Sequence, residues 1–241
     1  MTVALEIAVQ DAAGARAAMS RGADRLELCQ ALGLGGLTPS IGLVESVVAA
    51  VGGEHVNVLV RPRGGGFVYD ADDVALVARD IRAVIGAGAG GVVIGALTAD
   101  GRADVDAVRR WRDAAGERSL VFHRAIDASA DPVAVLGELS GVGVDRVLTS
   151  GGASRSVDGV GVLRRLVDAG SGIEIMAGGG IRVEDIPVIV GAGVDAVHLS
   201  ARGTAGLDAP SGPGGGVGGY DVTDADVVTA AAASVRSTLA E

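Results

Sequence analysis

Four segments of the chain repeat one pattern, and that repeat constrains the fold more than any other feature. They are residues 22–29 (GADRLELC), 88–95 (GAGGVVIG), 143–150 (GVDRVLTS) and 193–200 (GVDAVHLS). Each opens on a glycine, which tolerates the left-handed backbone that ends a helix. Each then runs into a short apolar stretch of strand character. Similar strands fall between them, at about 3–9, 55–61, 119–123 and 173–177. Helical stretches follow each strand, at about 11–21, 40–51, 72–87, 104–115, 131–141, 157–169, 183–191 and 223–239. Asp131-Pro132 marks one helix start, a capping Asp before a first-turn Pro, and Thr38-Pro39-Ser40 marks another.

Eight strands alternating with eight helices in 241 residues predict an α/β fold of the (β/α)8, or TIM, barrel type, with the whole chain, 1–241, as one domain. A doubly wound open sheet is the rival, but no Gly-x-Gly-x-x-Gly turn follows the first strand. The Gly/Pro-rich stretch at about 203–219 reads as a long, mobile loop after the eighth strand.

Strand side chains alternate, so the polar face of each strand points into such a barrel. Glu27 and Cys29 share one face of strand two, and His198 and Ser200 one face of strand eight. By the same parity Glu6, Asn57, Arg61 and His123 point inward. Barrel interiors are normally filled by Val, Ile and Leu, so these charges predict either a functional chamber or a set that merely neutralises itself. A buried carboxylate needs a partner. Arg61 is the expected one for Glu6 or Glu27. Glu27 and His123 are candidate acid–base groups, with Glu6 and His198 beside them. Gly178, Gly179 and Gly180 after strand seven are placed to bind an anion with help from Arg202, or to make a tight turn. Arg61 and Arg63 beside three glycines form a second anion-friendly loop. Ser150 offers a hydroxyl after strand six.

Composition removes several classes. All twenty basic residues are Arg, so Schiff-base aldolases, pyridoxal phosphate (PLP) enzymes and Walker-type nucleotide hydrolases are excluded. No nucleotide cofactor is expected. A formal charge of −10 with 2% aromatic residues argues against nucleic-acid binding. One cysteine, Cys29, forms neither an internal disulfide nor a multi-cysteine metal cage. An early charge at Glu6 argues against a signal peptide. The longest uncharged run, between Arg82 and Asp100, is broken by glycines and short for a membrane span.

Several motifs occur together and in order: Leu5-Glu6-Ile7, GADRLELC ending at Cys29, GGLTPS ending at Ser40, Arg61-Pro-Arg-Gly-Gly65, Phe122-His-Arg-Ala125 with Asp127, Leu148-Thr-Ser-Gly151, Gly178-Gly-Gly180 and His198-Leu-Ser-Ala-Arg202. Over about residues 4–202 they resemble the CutC family. The resemblance implies a TIM barrel, a cytoplasmic location, homo-oligomers and copper homeostasis through copper(I) binding, with Cys29 as ligand. Relatives often carry a further cysteine in the first strand, where this chain has Ala8. The residues themselves suggest a different activity, acid–base chemistry on a small anionic or phosphorylated metabolite.

Overall fold

The structure, a computed structural model, describes residues 2–207 and 219–239. Eight parallel strands close into a barrel in the order of the sequence. They are β1 (Ala4–Val9), β2 (Arg25–Leu28), β3 (Val56–Leu59), β4 (Gly91–Ile94), β5 (Ser119–Phe122), β6 (Arg146–Thr149), β7 (Glu174–Gly178) and β8 (Ala196–Leu199). The eighth pairs with the first, Glu6 lying opposite His198. The helices are α1 (Ala12–Ser20), α2 (Ile41–Val51), α3 (Ala71–Gly86), α4 (Val105–Ala115), α5 (Pro132–Ser140), α6 (Val160–Asp168), α7 (Ile186–Val190) and α8 (Ala225–Thr238). Short 3-10 turns precede α6 and α7, where sequence alone suggests single helices. The expected caps are present. Asp131 accepts from the amides of Val133 and Ala134, and Ser40 accepts from that of Leu43.

The repeat has a mechanical cause. Gly22, Gly88, Gly143 and Gly193 have φ of 100°, 98°, 75° and 88°, a region that disfavours side chains. Two residues on, Asp24, Asp145 and Asp195 accept the backbone N–H of Leu5, Leu120 and Ile175 at 2.8, 2.7 and 2.8 Å. Each carboxylate thus ties the start of an even strand to the strand before it. In the second repeat Gly90 replaces the Asp, because a Cβ there would lie 2.6 Å from the carbonyl oxygen of Gly53.

Two apolar clusters result. The larger lies between sheet and helices and includes Leu26, Leu28, Val197 and Leu199, the strand faces expected to point outward. The smaller lies inside the barrel: Cys29, Leu59, Val93, Val121, Leu148, Met176 and Ala196.

The stretch at about 203–219 is not simply a loop. Its two flanks are β9 (Arg202–Ala205) and β10 (Tyr220–Thr223), paired antiparallel. The mobility expected for its middle concerns residues 208–218, outside the described ones.

Beneath the mouth sits an ion network. Glu6, wholly buried, meets Arg25 Nε at 3.0 Å and Arg146 Nη1 at 3.8 Å. Arg146 Nε also lies 2.9 Å from Glu174, which pairs with Arg25. Arg61 takes no part. The expected Glu–Arg61 pair is replaced by Glu6 with Arg25 and Arg146, whose side chains share the interior parity. Burial alone would raise the Glu6 pKa. The hydrogen bond and charge of His198, then Arg25 and Arg146, lower it instead to about 2 from 4.5.

A carboxyl held below its unfolded value stabilises the fold fully above about pH 4.5 and loses that contribution as pH falls through about 2. Glu6→Gln should therefore cost about 3 kcal/mol at pH 7. Urea unfolding curves across pH should show the deficit shrinking toward pH 2. A constant deficit would contradict an ionised Glu6.

Candidate functional site at the barrel mouth

A cavity of about 230 Å³ opens at the C-terminal ends of the strands. Glu27, Arg61, His123, Arg124 and His198 supply its ionisable wall together with Arg202. Phe67, Leu32, Leu59, Leu148 and Ile181 supply much of its apolar wall.

His198 projects from β8 opposite Glu6, and its Nδ1 lies 2.9 Å from Glu6 Oε1. Burial opposes a charged imidazole. The hydrogen bond to Glu6 and the negative charges of Glu27 and Glu6 outweigh it and raise the His198 pKa. Glu27 projects from β2, two residues beyond Arg25. Its Oε2 is buried with no hydrogen-bond partner among the described residues. Burial raises its pKa to about 7, with His198 pulling down and Glu6 pushing up.

His123 follows β5. Its Nδ1 accepts the amide of Ala125 at 3.1 Å. Burial, then the positive charge of Arg61, lower its pKa to about 3. The ring is therefore neutral at pH 7. With Nδ1 accepting, the proton resides on Nε2. That Nε2 is buried without a partner among the described residues. Gly95 makes the room, since a Cβ there would lie 2.4 Å from the ring.

Arg61 is a buried cation, 7% exposed. Its Nη1 donates to the carbonyls of Leu34 and Gly36 at 3.3 and 3.2 Å, and its Nη2 to that of Gly65 at 2.8 Å. It also lies over the Phe67 ring, 5.2 Å from the centroid. No carboxylate of the described residues is within ion-pair distance, and Nε has no partner among them.

Other expected residues fall elsewhere. Arg63 turns outward, bonded to Asp73 at 2.9 Å and lying over Tyr69, because α3 presents that acid beside it. Ser150 is fully buried and bonded to Asp127, Ala153 and Arg124, so it supports the wall rather than lining it. Gly178 is a packing position: a Cβ there would lie 2.5 Å from Leu148 Cδ1. Gly179 and Gly180 do line the cavity. Arg202 lines it too, with Asp221 at 3.4 Å.

Cys29 is buried with Leu59 and Val93 in the inner apolar cluster. Burial, then the charge of Glu27, push its thiol well above the ordinary range. It is not among the groups that come close enough to share a metal ion. Among the described residues those are Glu6, Glu27 and His198, with one ligand atom each within 4.8 Å of the others.

Sequence reasoning overlooked Arg124, although it sits in the same motif as His123. The signal was Asp127 three residues on, at ion-pair spacing for a helical turn. Arg25 was overlooked too, although parity places it with Glu27.

The model for the CutC family matches residues 3–203 of this chain. A family protein CutC of Klebsiella pneumoniae (strain 342) is 43% identical over 197 residues, 82% of this chain and 79% of the relative. One from Xanthomonas campestris pv. campestris (strain B100) is 43% identical over 201 residues, 83% of each chain. A crystal structure of CutC from Streptococcus agalactiae, assigned provisionally to copper homeostasis, superposes with TM-score 0.75 at 28% identity. It covers 83% of this chain and 99% of that one. A thiamine phosphate pyrophosphorylase from Pyrococcus furiosus matches with TM-score 0.61 at 15% identity over 98% and 97%, a likeness of fold alone. No helix among the described residues is long and apolar enough to cross a membrane.

Ionising Glu27 in the folded state opposes stability. Wild type and Glu27→Gln should be equally affected below about pH 4.5, where Glu27 is protonated whether folded or not. Between there and about pH 7 the wild type should lose about 3 kcal/mol relative to Glu27→Gln. Denaturant titrations of both proteins from pH 4 to 9 measure this, and parallel profiles would contradict it.

Proposed function

The chain belongs to the CutC family, and on that premise we propose that its barrel mouth binds a small anionic metabolite and moves a proton on it. One observation carries the reading. Glu27 Oε2, His123 Nε2 and Arg61 Nε are buried and unpartnered among the described residues, and all three residues line one cavity. Orphaned buried polar atoms are costly, and a ligand that pairs with them removes the cost. Arg61 adds a buried positive charge with no carboxylate of the described residues beside it, which favours an anion.

The roles follow from protonation states. Glu27 titrates near neutrality, the range suited to a general base that then returns its proton as an acid. Neutral His123 donates from Nε2 and polarises a carbonyl oxygen without an ionic form of its own. Arg61 stabilises the negative charge that develops there. The chemistry is proton transfer at a carbon next to a carbonyl. The C–H bond breaks, its proton goes to Glu27, its electron pair forms the enolate double bond, and the carbonyl oxygen takes the charge. Returning the proton to the original or the adjoining carbon completes exchange or isomerisation. The single buried thiol suits a reducing, cytoplasmic setting.

Copper(I) fits this donor set poorly. It prefers thiolate and thioether ligands, whereas Cys29 is packed away with its thiol protonated. The groups that do converge offer two carboxylates and one imidazole. Glu6 and His198 already bind each other, and Glu6 is held by two arginines. A competitive copper(I) titration should give the same weak binding for wild type and Cys29→Ala. A marked loss in the variant would restore the copper reading.

The proton-transfer reading is tested by incubating the protein in D2O with a panel of small carboxylated and phosphorylated ketones and aldehydes, following deuterium incorporation by NMR. Exchange next to the carbonyl is expected, rising with pH through about 7 as Glu27 becomes a base. Glu27→Gln should lose a factor of roughly 10² or more. No exchange with any compound, or equal exchange in the variant, would overturn it.

A further inference from the structure

One more arginine lines the cavity, next in the chain to His123. Arg124 follows β5 and belongs to a short 3-10 turn. Its Nε donates to Asp127 Oδ2 at 2.8 Å and its Nη2 to Ser150 Oγ at 2.9 Å. The guanidinium also packs on Gly179, where a Cβ would lie 2.8 Å from Cζ. A side chain at 179 would thus push the guanidinium away. Three constraints therefore fix one arginine head, while its Nη1 has no bond among the described residues.

Asp127 is built for this task. Besides Arg124 it accepts Thr149 Oγ1 at 2.6 Å, the Ser150 amide and hydroxyl each at 2.9 Å, and the Gly152 amide at 3.0 Å. One carboxylate thus organises the loop after β6 and orients the arginine from the loop after β5. An ion pair serving charge balance alone would need none of these extra donors. Pre-organising a guanidinium in this way strengthens recognition of an oxyanion.

Other donors face the same cavity from two more loops. After β7 Gly179, Gly180 and Ile181 line it, and after β8 Ser200 and Arg202 do. The amides of Gly180 and Ile181 have no acceptor among the described residues. A planar carboxylate presents two oxygens in one plane. Donors arriving from three separate loops match a tetrahedral group better, and loops after the seventh and eighth strands of such barrels frequently hold phosphate.

We propose that Arg124, fixed by Asp127 against Gly179, anchors a phosphoryl group, so that the ligand of this mouth is a small phosphate monoester. The proposal rests on the binding cavity described above and narrows its ligand class. Asp127 is a positioning residue that acts through Arg124.

The test is calorimetric titration of the full chain with inorganic phosphate, glycerol 3-phosphate and acetate, alongside 15N NMR of the arginine side chains. Phosphate and glycerol 3-phosphate should bind competitively and acetate at least tenfold more weakly. The Arg124 resonances should shift on saturation. Arg124→Gln should weaken phosphate tenfold or more, and Arg124→Lys should not restore it, because a lysine cannot keep the fork to Asp127 and Ser150. Asp127→Asn should weaken phosphate while retaining the Arg124 charge. Unchanged affinity in Arg124→Gln, acetate binding as well as phosphate, or saturation without a shift at Arg124 would each overturn the assignment. The wild-type NMR result decides the matter even if a variant fails to fold. Phosphate binding at Arg124 without deuterium exchange would sink only the proton-transfer reading. Exchange without phosphate binding would sink only this one.

Discussion

A single buried carboxylate, Glu6, sets the electrostatics of the barrel. It is enclosed on β1 with neighbours on both sides: Arg25 on β2 and His198 on β8, the strand that closes the cylinder. An ionised carboxylate in such surroundings survives only with close partners, and here arginines hold one oxygen while an imidazole holds the other. The pairing has consequences above it. It keeps His198 biased toward its cationic form. That cation lies beside Glu27 and partly offsets the burial that raises the Glu27 pKa. The positive charge of His198 thus holds Glu27 near neutrality against burial and the negative charge of Glu6, which both push it up.

The layers divide the labour. Below, Glu6, Arg25, Arg146 and Glu174 balance one another's charge as ion pairs, although Arg146 Nε and Nη1 lack a hydrogen-bond partner among the described residues, so their charges say little about a ligand. Across the interior, Cys29, Leu59, Val93, Val121, Leu148 and Met176 form an apolar plug, beside the Glu6–His198 contact that joins this network to the mouth. Above it, Arg61, His123 and Glu27 keep polar atoms without partners among the described residues. Buried charge that balances itself is architecture, whereas buried polarity that does not is a demand for a ligand. The same contrast explains why Cys29, the obvious soft ligand on paper, belongs to the plug.

Much of the site was legible from strand parity. Glu6, Glu27, His123 and His198 fall where alternation puts them, because a residue's face on a pleated strand follows from its position alone. The errors came from partners and from loops. Arg61 was paired on paper with a glutamate, but its long side chain lies beyond the last residue of β3 and folds back onto the carbonyls of Leu34, Gly36 and Gly65. Arg63, two residues later, meets Asp73 and Tyr69 instead of the cavity. Ser150 was read as a free hydroxyl, yet Asp127 from the preceding βα loop claims it. Loops lack the period that fixes strand faces, and their contacts join residues far apart in the chain.

By itself the sequence determined the eightfold βα alternation, the glycines that end the helices, the caps at Asp131 and Ser40, and the inward face of each strand. All are local, set by backbone conformation and by the two- and 3.6-residue periods of neighbouring side chains. Only the tertiary structure decided that Glu6 would be neutralised by Arg25, Arg146 and His198, that Arg61 would meet no carboxylate among the described residues, and that Arg124 would be fixed at the mouth by Asp127. Those outcomes depend on which groups closure of the cylinder brings within a few ångströms of one another. Electrostatic and hydrogen-bond energies fall off over that distance, whatever the separation along the chain.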